Sequence, residues 1–145
     1  MLDPAALRDA RLPTGATEAE ARCPQPHILV IDDSLTSRML EQSILQAEGY
    51  EVDVASTAEE ALSKAHERKY NLFVCDIEMP GMDGFEFVER ARESNDLREI
   101  PSIMVTMRAD DESRQQALRG GARAYICKGE FDEKALLSKV RELVT

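Results

Sequence analysis

Short, almost wholly apolar runs alternate with longer amphipathic ones from residue 27 to the end of the chain. His27-Ile28-Leu29-Val30-Ile31, Leu72-Phe73-Val74-Cys75, Ser102 to Val105 and Ala124-Tyr125-Ile126-Cys127 have the pattern of strands buried on both faces. Tyr50 to Ala55 alternates apolar and polar and predicts a fifth strand. Between them the spacing lengthens toward a helical period. Ser34 is the predicted N-cap of a helix to about Glu48, with Met39, Ile44 and Leu45 as its buried stripe and Gly49 ending it. Thr57 caps a helix to about Arg68, and Glu60 stands three residues on as a capping-box partner. Phe85 to about Glu93 predicts a helix that buries Phe85, Phe87 and Val88. Asp110 to Arg119 reads as a polar helix stopped by Gly120-Gly121, and Glu130 to Val144 as a closing amphipathic helix. Strand and helix alternating with short connections imply a parallel sheet covered by helices on both faces, each crossover right-handed.

Residues 1–26 break this pattern with Pro4, Pro13, Gly15, Pro24 and Pro26. They read as a linker or tail, with one helical turn at Pro4 to Ala10 at most, ahead of one domain over residues 27–145. No apolar run approaches the ~18 residues of a membrane span. Met1 to Arg22 carries acids and lacks an apolar core, so it is neither a signal nor a transit peptide, and a cytoplasmic protein is expected. A net charge of −10 argues against sequence-independent binding to nucleic acid and is compatible with a site that concentrates cations. Cys23, Cys75 and Cys127 lack metal-ligand spacing, and the latter two lie inside apolar runs as small core residues. His27 and His66, the two histidines, are expected to face solvent rather than to carry a phosphoryl group.

Chemistry gathers where the strands end. In open parallel sheets, ligands bind beyond the carboxyl ends of the strands, near the point where strand order reverses. Those ends carry Asp32-Asp33, Asp76, Thr106 and Lys128. Crowded carboxylates repel unless a cation intervenes, and hard oxygen ligands suit Mg²⁺. Asp33 and Asp76 are the expected ligands, with Asp32 orienting water or ligand and the carbonyl of Glu78 completing the protein's share. An Asp in such a site can attack phosphorus and form an aspartyl phosphate. The phosphoryl oxygens then require donors, which Lys128 and Thr106 supply.

These residues, together with the run Asp76-Ile77-Glu78-Met79-Pro80-Gly81-Met82-Asp83-Gly84, resemble the receiver domain of two-component response regulators over residues 27–145. The resemblance implies a flavodoxin-like α/β fold with strand order 2-1-3-4-5. It also implies that Asp76 takes its phosphoryl group from a phosphohistidine on a partner kinase or phosphotransfer domain. Tyr125 matches the family's switch aromatic, expected to fill space that Thr106 vacates on phosphorylation. The output partner would then bind the face made by helix 110–119, strand 123–127 and helix 130–144. Such a domain catalyses its own phosphorylation and dephosphorylation without being a turnover enzyme.

One position departs from the family: Gly129 follows Lys128 where Pro in a cis bond is common. The run Tyr125-Ile126-Cys127-Lys128-Gly129-Glu130-Phe131-Asp132 is more similar to receivers fused to chemotaxis-type histidine kinases. Met1-Leu2-Asp3-Pro4-Ala5-Ala6-Leu7 resembles the end of the coupling domain that precedes the receiver in those kinases. The chain would then be a C-terminal fragment of a hybrid kinase, with a stand-alone chemotaxis receiver or one fused to an adaptor as the alternatives, and direct transcriptional output is not expected of it. Two other classes remain open, an aspartate-nucleophile phosphatase and a degenerate receiver serving only as an interaction module. Finally, Glu78 and Arg108, of opposite charge, with bulky Met107 between the same strand tips, are expected to gate water from the phosphorylated Asp76 and slow its hydrolysis.

Overall fold

The computed structural model describes residues 25–107, 110–128 and 133–144. Five strands, β1 (His27–Ile31), β2 (Glu51–Ala55), β3 (Leu72–Cys75), β4 (Ser102–Thr106) and β5 (Ala124–Cys127), alternate with five helices. The helices are α1 (Leu35–Ala47), α2 (Ala58–Glu67), α3 (Gly84–Glu93), α4 (Asp111–Gly120) and α5 (Glu133–Val144). Every strand pairing is parallel, in the flavodoxin-like order β2-β1-β3-β4-β5 that the family resemblance implies.

Alternation along each strand divides the core in two. Leu29, Ile31, Phe73, Cys75 and Met104 point to one face and pack under α2, α3 and α4 with Ala61, Phe87, Val88 and Ala117. Ile28, Val30, Leu72, Val74, Ile103 and Val105 point to the other, against Ile44 and Leu45 of α1 and Leu136 and Val140 of α5. Burial on both faces is the physical reason the central strands β1 and β3 are almost wholly apolar, while the edge strand β2 keeps Glu51 and Asp53.

The caps largely follow the sequence. The Ser34, Thr57 and Asp110 side chains accept from the amides three residues on, at 3.3, 3.0 and 2.8 Å. Glu60 reaches back as predicted, but one residue further than a capping box requires: its Oε1 accepts from the Ser56 amide at 2.9 Å. Asp83, unforeseen as a cap, accepts from the Glu86 amide at 2.9 Å. The α4 helix ends at Gly121, whose φ of 117° is a left-handed conformation that costs glycine nothing.

Two packing expectations need correction. Met39 is 57% exposed, and Glu41 takes its place on the buried stripe with Ile44 and Leu45. Five residues separate Met39 from Ile44, about 140° around a helix, whereas 41, 44 and 45 lie on one face. In α3 it is Phe87 that is fully buried, while Phe85 is only half-buried, because Gly84, Phe87, Val88 and Ala91 form the inward stripe. The expected start of the last helix at Glu130 falls outside the described residues, as do Gly129 and the Lys128–Gly129 junction. Cys75 and Cys127 are buried free thiols, as read from their apolar surroundings. Cys23 and the predicted tail turn at Pro4 to Ala10 lie outside the described residues.

Candidate functional site

Chain direction around the sheet reverses between β1 and β3, so their carboxyl ends border an open crevice. Asp32 leaves β1 and donates its amide to the Ala55 carbonyl at 3.1 Å; Asp76 leaves β3 and donates to Ile31 O at 2.9 Å. These backbone bonds fix the two acids side by side. Asp33, next along the chain, is exposed where Asp32 is 1% exposed and Asp76 7%. One oxygen from each of the three acids lies within 4.8 Å of the others.

Lys128, just past β5, crosses to this cluster. Its Nζ donates to Asp32 Oδ2 at 2.7 Å, Ser37 Oγ at 3.2 Å and Asp76 Oδ2 at 3.4 Å. Burial alone would lower the lysine's pKa, but the bond to Asp32 and the charges of Asp76 and Asp32 outweigh it and hold the ammonium above its ordinary value. Asp76 goes the same way for the opposite reason. Burial raises its pKa, the Lys128 charge pulls it down, and Asp32 pushes it up again, leaving it above the usual carboxylate range. With one ammonium among three acids, the cluster is short of positive charge.

Backbone amides and carbonyls, with the Arg38 and Glu59 side chains, surround the acids. Asp32 Oδ1 accepts from the Ser34 amide at 2.9 Å, and Arg38 Nη1 donates to the Asp32 carbonyl at 2.8 Å. The Glu78 amide approaches Asp76 Oδ1 at 3.4 Å. Gly84 begins α3 pressed against the same strand tip, its amide 2.8 Å from Ile77 O. A β-carbon there would run into the Asp76 carbonyl oxygen and sit 2.8 Å from Ile77 Cα, so only glycine permits this approach. Glu59 Oε2, at the start of α2, holds the intervening loop through the Met82 amide at 3.3 Å.

Thr106 ends β4 fully buried, and Tyr125 is 8% exposed with its ring inside the cluster under α4. Glu78 is exposed and Met107 63% exposed, whereas Arg108, the third member of the expected gate, lies outside the described residues. His66 is on the surface, 3.5 Å from Asp96. His27 is not in open solvent: its Nε2 pairs with Asp53 at 3.1 Å and its ring packs edge-on against Tyr70. It opens β1 and so sits at the opposite end of that strand from Asp32.

Sequence reasoning missed Ser37 and Glu41. Ser37 touches the lysine, and Glu41, one turn deeper, is 3% exposed with its pKa raised to about 8, by burial first and the Asp32 charge second. No local pattern marked either residue, because their roles depend on how α1 lies against the sheet.

Comparison with known proteins agrees with this geometry. The family model described as response regulator receiver domain matches residues 28–141. A gliding motility regulatory protein of Myxococcus xanthus is 33% identical over 116 residues, which are 80% of this chain and 15% of that protein. Among solved structures, the chemotaxis protein CheY4 of Vibrio cholerae superposes with a TM-score of 0.77 at 32% identity, covering 82% of this chain and 98% of that one. The signal receiver domain of a signal transduction histidine kinase from Syntrophus aciditrophicus gives 0.76 at 29% identity, over 82% and 89%. With strand order, acidic crevice and family match in agreement, the chain belongs to the response regulator receiver domains, the phosphoacceptor modules of two-component signalling.

Proposed function

We propose that Asp76 is the phosphoacceptor, served by Lys128 and Thr106, with Asp32, Asp33, Asp76 and the Glu78 carbonyl as the cation site. The observation that carries this reading is the lysine bonded to both Asp32 and Asp76 at the topological switch point, within a cluster that still lacks positive charge. Three oxygens within 4.8 Å, one acid exposed to water, suit a hydrated ion that takes few protein ligands. Bound there, Mg²⁺ would neutralise the acids and draw charge from the phosphoryl oxygens.

The chain's own residues then do the following. An Asp76 carboxylate oxygen attacks phosphorus as the bond from phosphorus to the donor's imidazole nitrogen breaks, and the imidazole leaves with that electron pair. Lys128, already directed at Asp76 Oδ2, turns its ammonium to a phosphoryl oxygen. Thr106 offers its hydroxyl from the neighbouring strand tip. Hydrolysis reverses the gain when water attacks from the side opposite Asp76.

The donor is a histidine kinase or phosphotransfer domain, and the output partner binds the face made by α4, β5 and α5. A finer reading places this receiver in a chemotaxis-type hybrid kinase. It is supported by the Tyr125 to Asp132 run, by Met1 to Leu7, and by the likeness to a receiver that belongs to a histidine kinase. No helix among the described residues is long and apolar enough to cross a membrane, which fits a cytoplasmic location. Incubation with a small acyl-phosphate donor and Mg²⁺ tests the reading. Stoichiometric, slowly decaying labelling supports it; many turnovers on phosphomonoesters would support a phosphatase, and no labelling an interaction module.

A further inference from the structure

Small residues seat α4 against the sheet. Its buried residues are Ser113 and Ala117, both small, so it contributes little apolar area to the core. A cavity of about 50 Å³ lies between it and α3, lined by Phe85, Val88, Met104, Gln116 and Ala117. At its carboxyl end Arg92 of α3 donates to the Arg119 and Gly120 carbonyls, at 3.4 and 2.5 Å. Near its amino end the Arg114 guanidinium lies over the Tyr125 ring, with Cζ 4.9 Å from the centroid. That is cation–π geometry, and the ring beneath it is 8% exposed.

We propose that Arg114 is a positioning residue whose guanidinium, stacked on Tyr125, seats the ring inward and ties α4 to β5 before any phosphoryl group arrives. Seating of the aromatic then does not wait for Thr106 to turn. The α4–β5–α5 face is preformed, and phosphorylation has less left to change there. A helix with small buried residues beside a cavity has room to shift, so one contact at its amino end weighs heavily in where it rests. The Arg114–Tyr125 contact is itself a feature of the fold. Its consequence for signalling rests on the phosphoacceptor reading above.

The chain has three tyrosines and no tryptophan, so 3-fluorotyrosine gives three fluorine resonances, and Tyr125→Phe assigns the one required. Without phosphodonor, the Tyr125 signal of the wild type should be shielded from a soluble paramagnetic probe. Arg114→Gln and Arg114→Met should expose it and speed amide exchange in Asp111 to Gly120 by about two- to five-fold, the factor a half-exposed cation–π contact supports. Arg114→Lys, which keeps a cation, should retain part of the protection. Unchanged signals in Arg114→Gln overturn the proposal, and so does a wild-type response from Arg114→Met, which would give the role to the stem's packing. A second arm adds beryllofluoride with Mg²⁺. The wild-type signal should barely move, while that of Arg114→Gln returns toward it; equal movement in both overturns preseating. If neither responds and the first difference stands, the clamp is supported and the phosphoacceptor reading is what fails.

Discussion

Glu41 offers a prediction that follows from its burial beside the acidic cluster. The carboxyl is 3% exposed on the inner face of α1, and its pKa is raised from 4.5 to about 8, by burial and then by the charge of Asp32. The folded chain therefore holds this proton more tightly than the unfolded chain does. Stability is fully present below about pH 4.5 and falls as pH rises through about 8. At about 1.4 kcal/mol for each pH unit, the whole rise corresponds to roughly 5 kcal/mol. That is a large share of the about 5–15 kcal/mol that stabilises an ordinary domain. Asp76, also raised, adds to the same trend, while Lys128 acts only above the ordinary lysine range. Glu41→Gln keeps the shape and removes the titration. Urea unfolding at several pH values from 5 to 8.5, with a chelator present so that no cation neutralises the neighbouring acids, measures the difference. The variant should match the wild type near pH 5 and become more stable by several kcal/mol at the alkaline end. Parallel stability curves across the range would refute the argument, because they would mean that water or a partner reaches the carboxyl in the folded state.

Other outcomes follow from single contacts. Gly84→Ala places a β-carbon against the Asp76 carbonyl and should destabilise by about 1–3 kcal/mol, read as a lower urea midpoint with an unchanged slope. Thr57→Ala removes the cap that accepts from the Glu60 amide at 3.0 Å and should cost about 1 kcal/mol in the same assay. Asp33→Ala should weaken Mg²⁺ binding markedly in a direct titration while barely changing metal-free stability, since its side chain is exposed; unchanged affinity would remove it from the cation site.

Strand positions and the acids at the strand tips were legible because each rests on local chemistry, whereas the sheet order came from the family resemblance. Short apolar runs of four or five residues flanked by turn-forming residues read as strands, and Asp76 closes such a run directly. What stayed hidden depended on rotation and reach. Met39 looks like a core residue by composition, and only the helical angle from Ile44 shows that it faces outward. A Glu inside an otherwise ordinary helix gives no sign that it is buried until α1 is laid against the sheet. Asp83 entered only as part of the run from Asp76 to Gly84, and its role as the α3 cap depends on where Gly84 docks. The stacking of Arg114 on Tyr125 joins residues of different elements that no local pattern connects.

The central claim is that Asp76 is the residue that takes the phosphoryl group. Wild type and Asp76→Asn are each incubated with an acyl-phosphate donor and Mg²⁺, treated with borohydride to reduce any acyl phosphate, and mapped by peptide mass spectrometry. Asn keeps the volume of Asp and lacks the nucleophilic carboxylate, so both proteins should fold alike. The account predicts reduction at Asp76 in the wild type, dependent on Mg²⁺, and none anywhere in the variant. Labelling retained in Asp76→Asn, or mapped to Asp32 or Asp33 in the wild type, would contradict it.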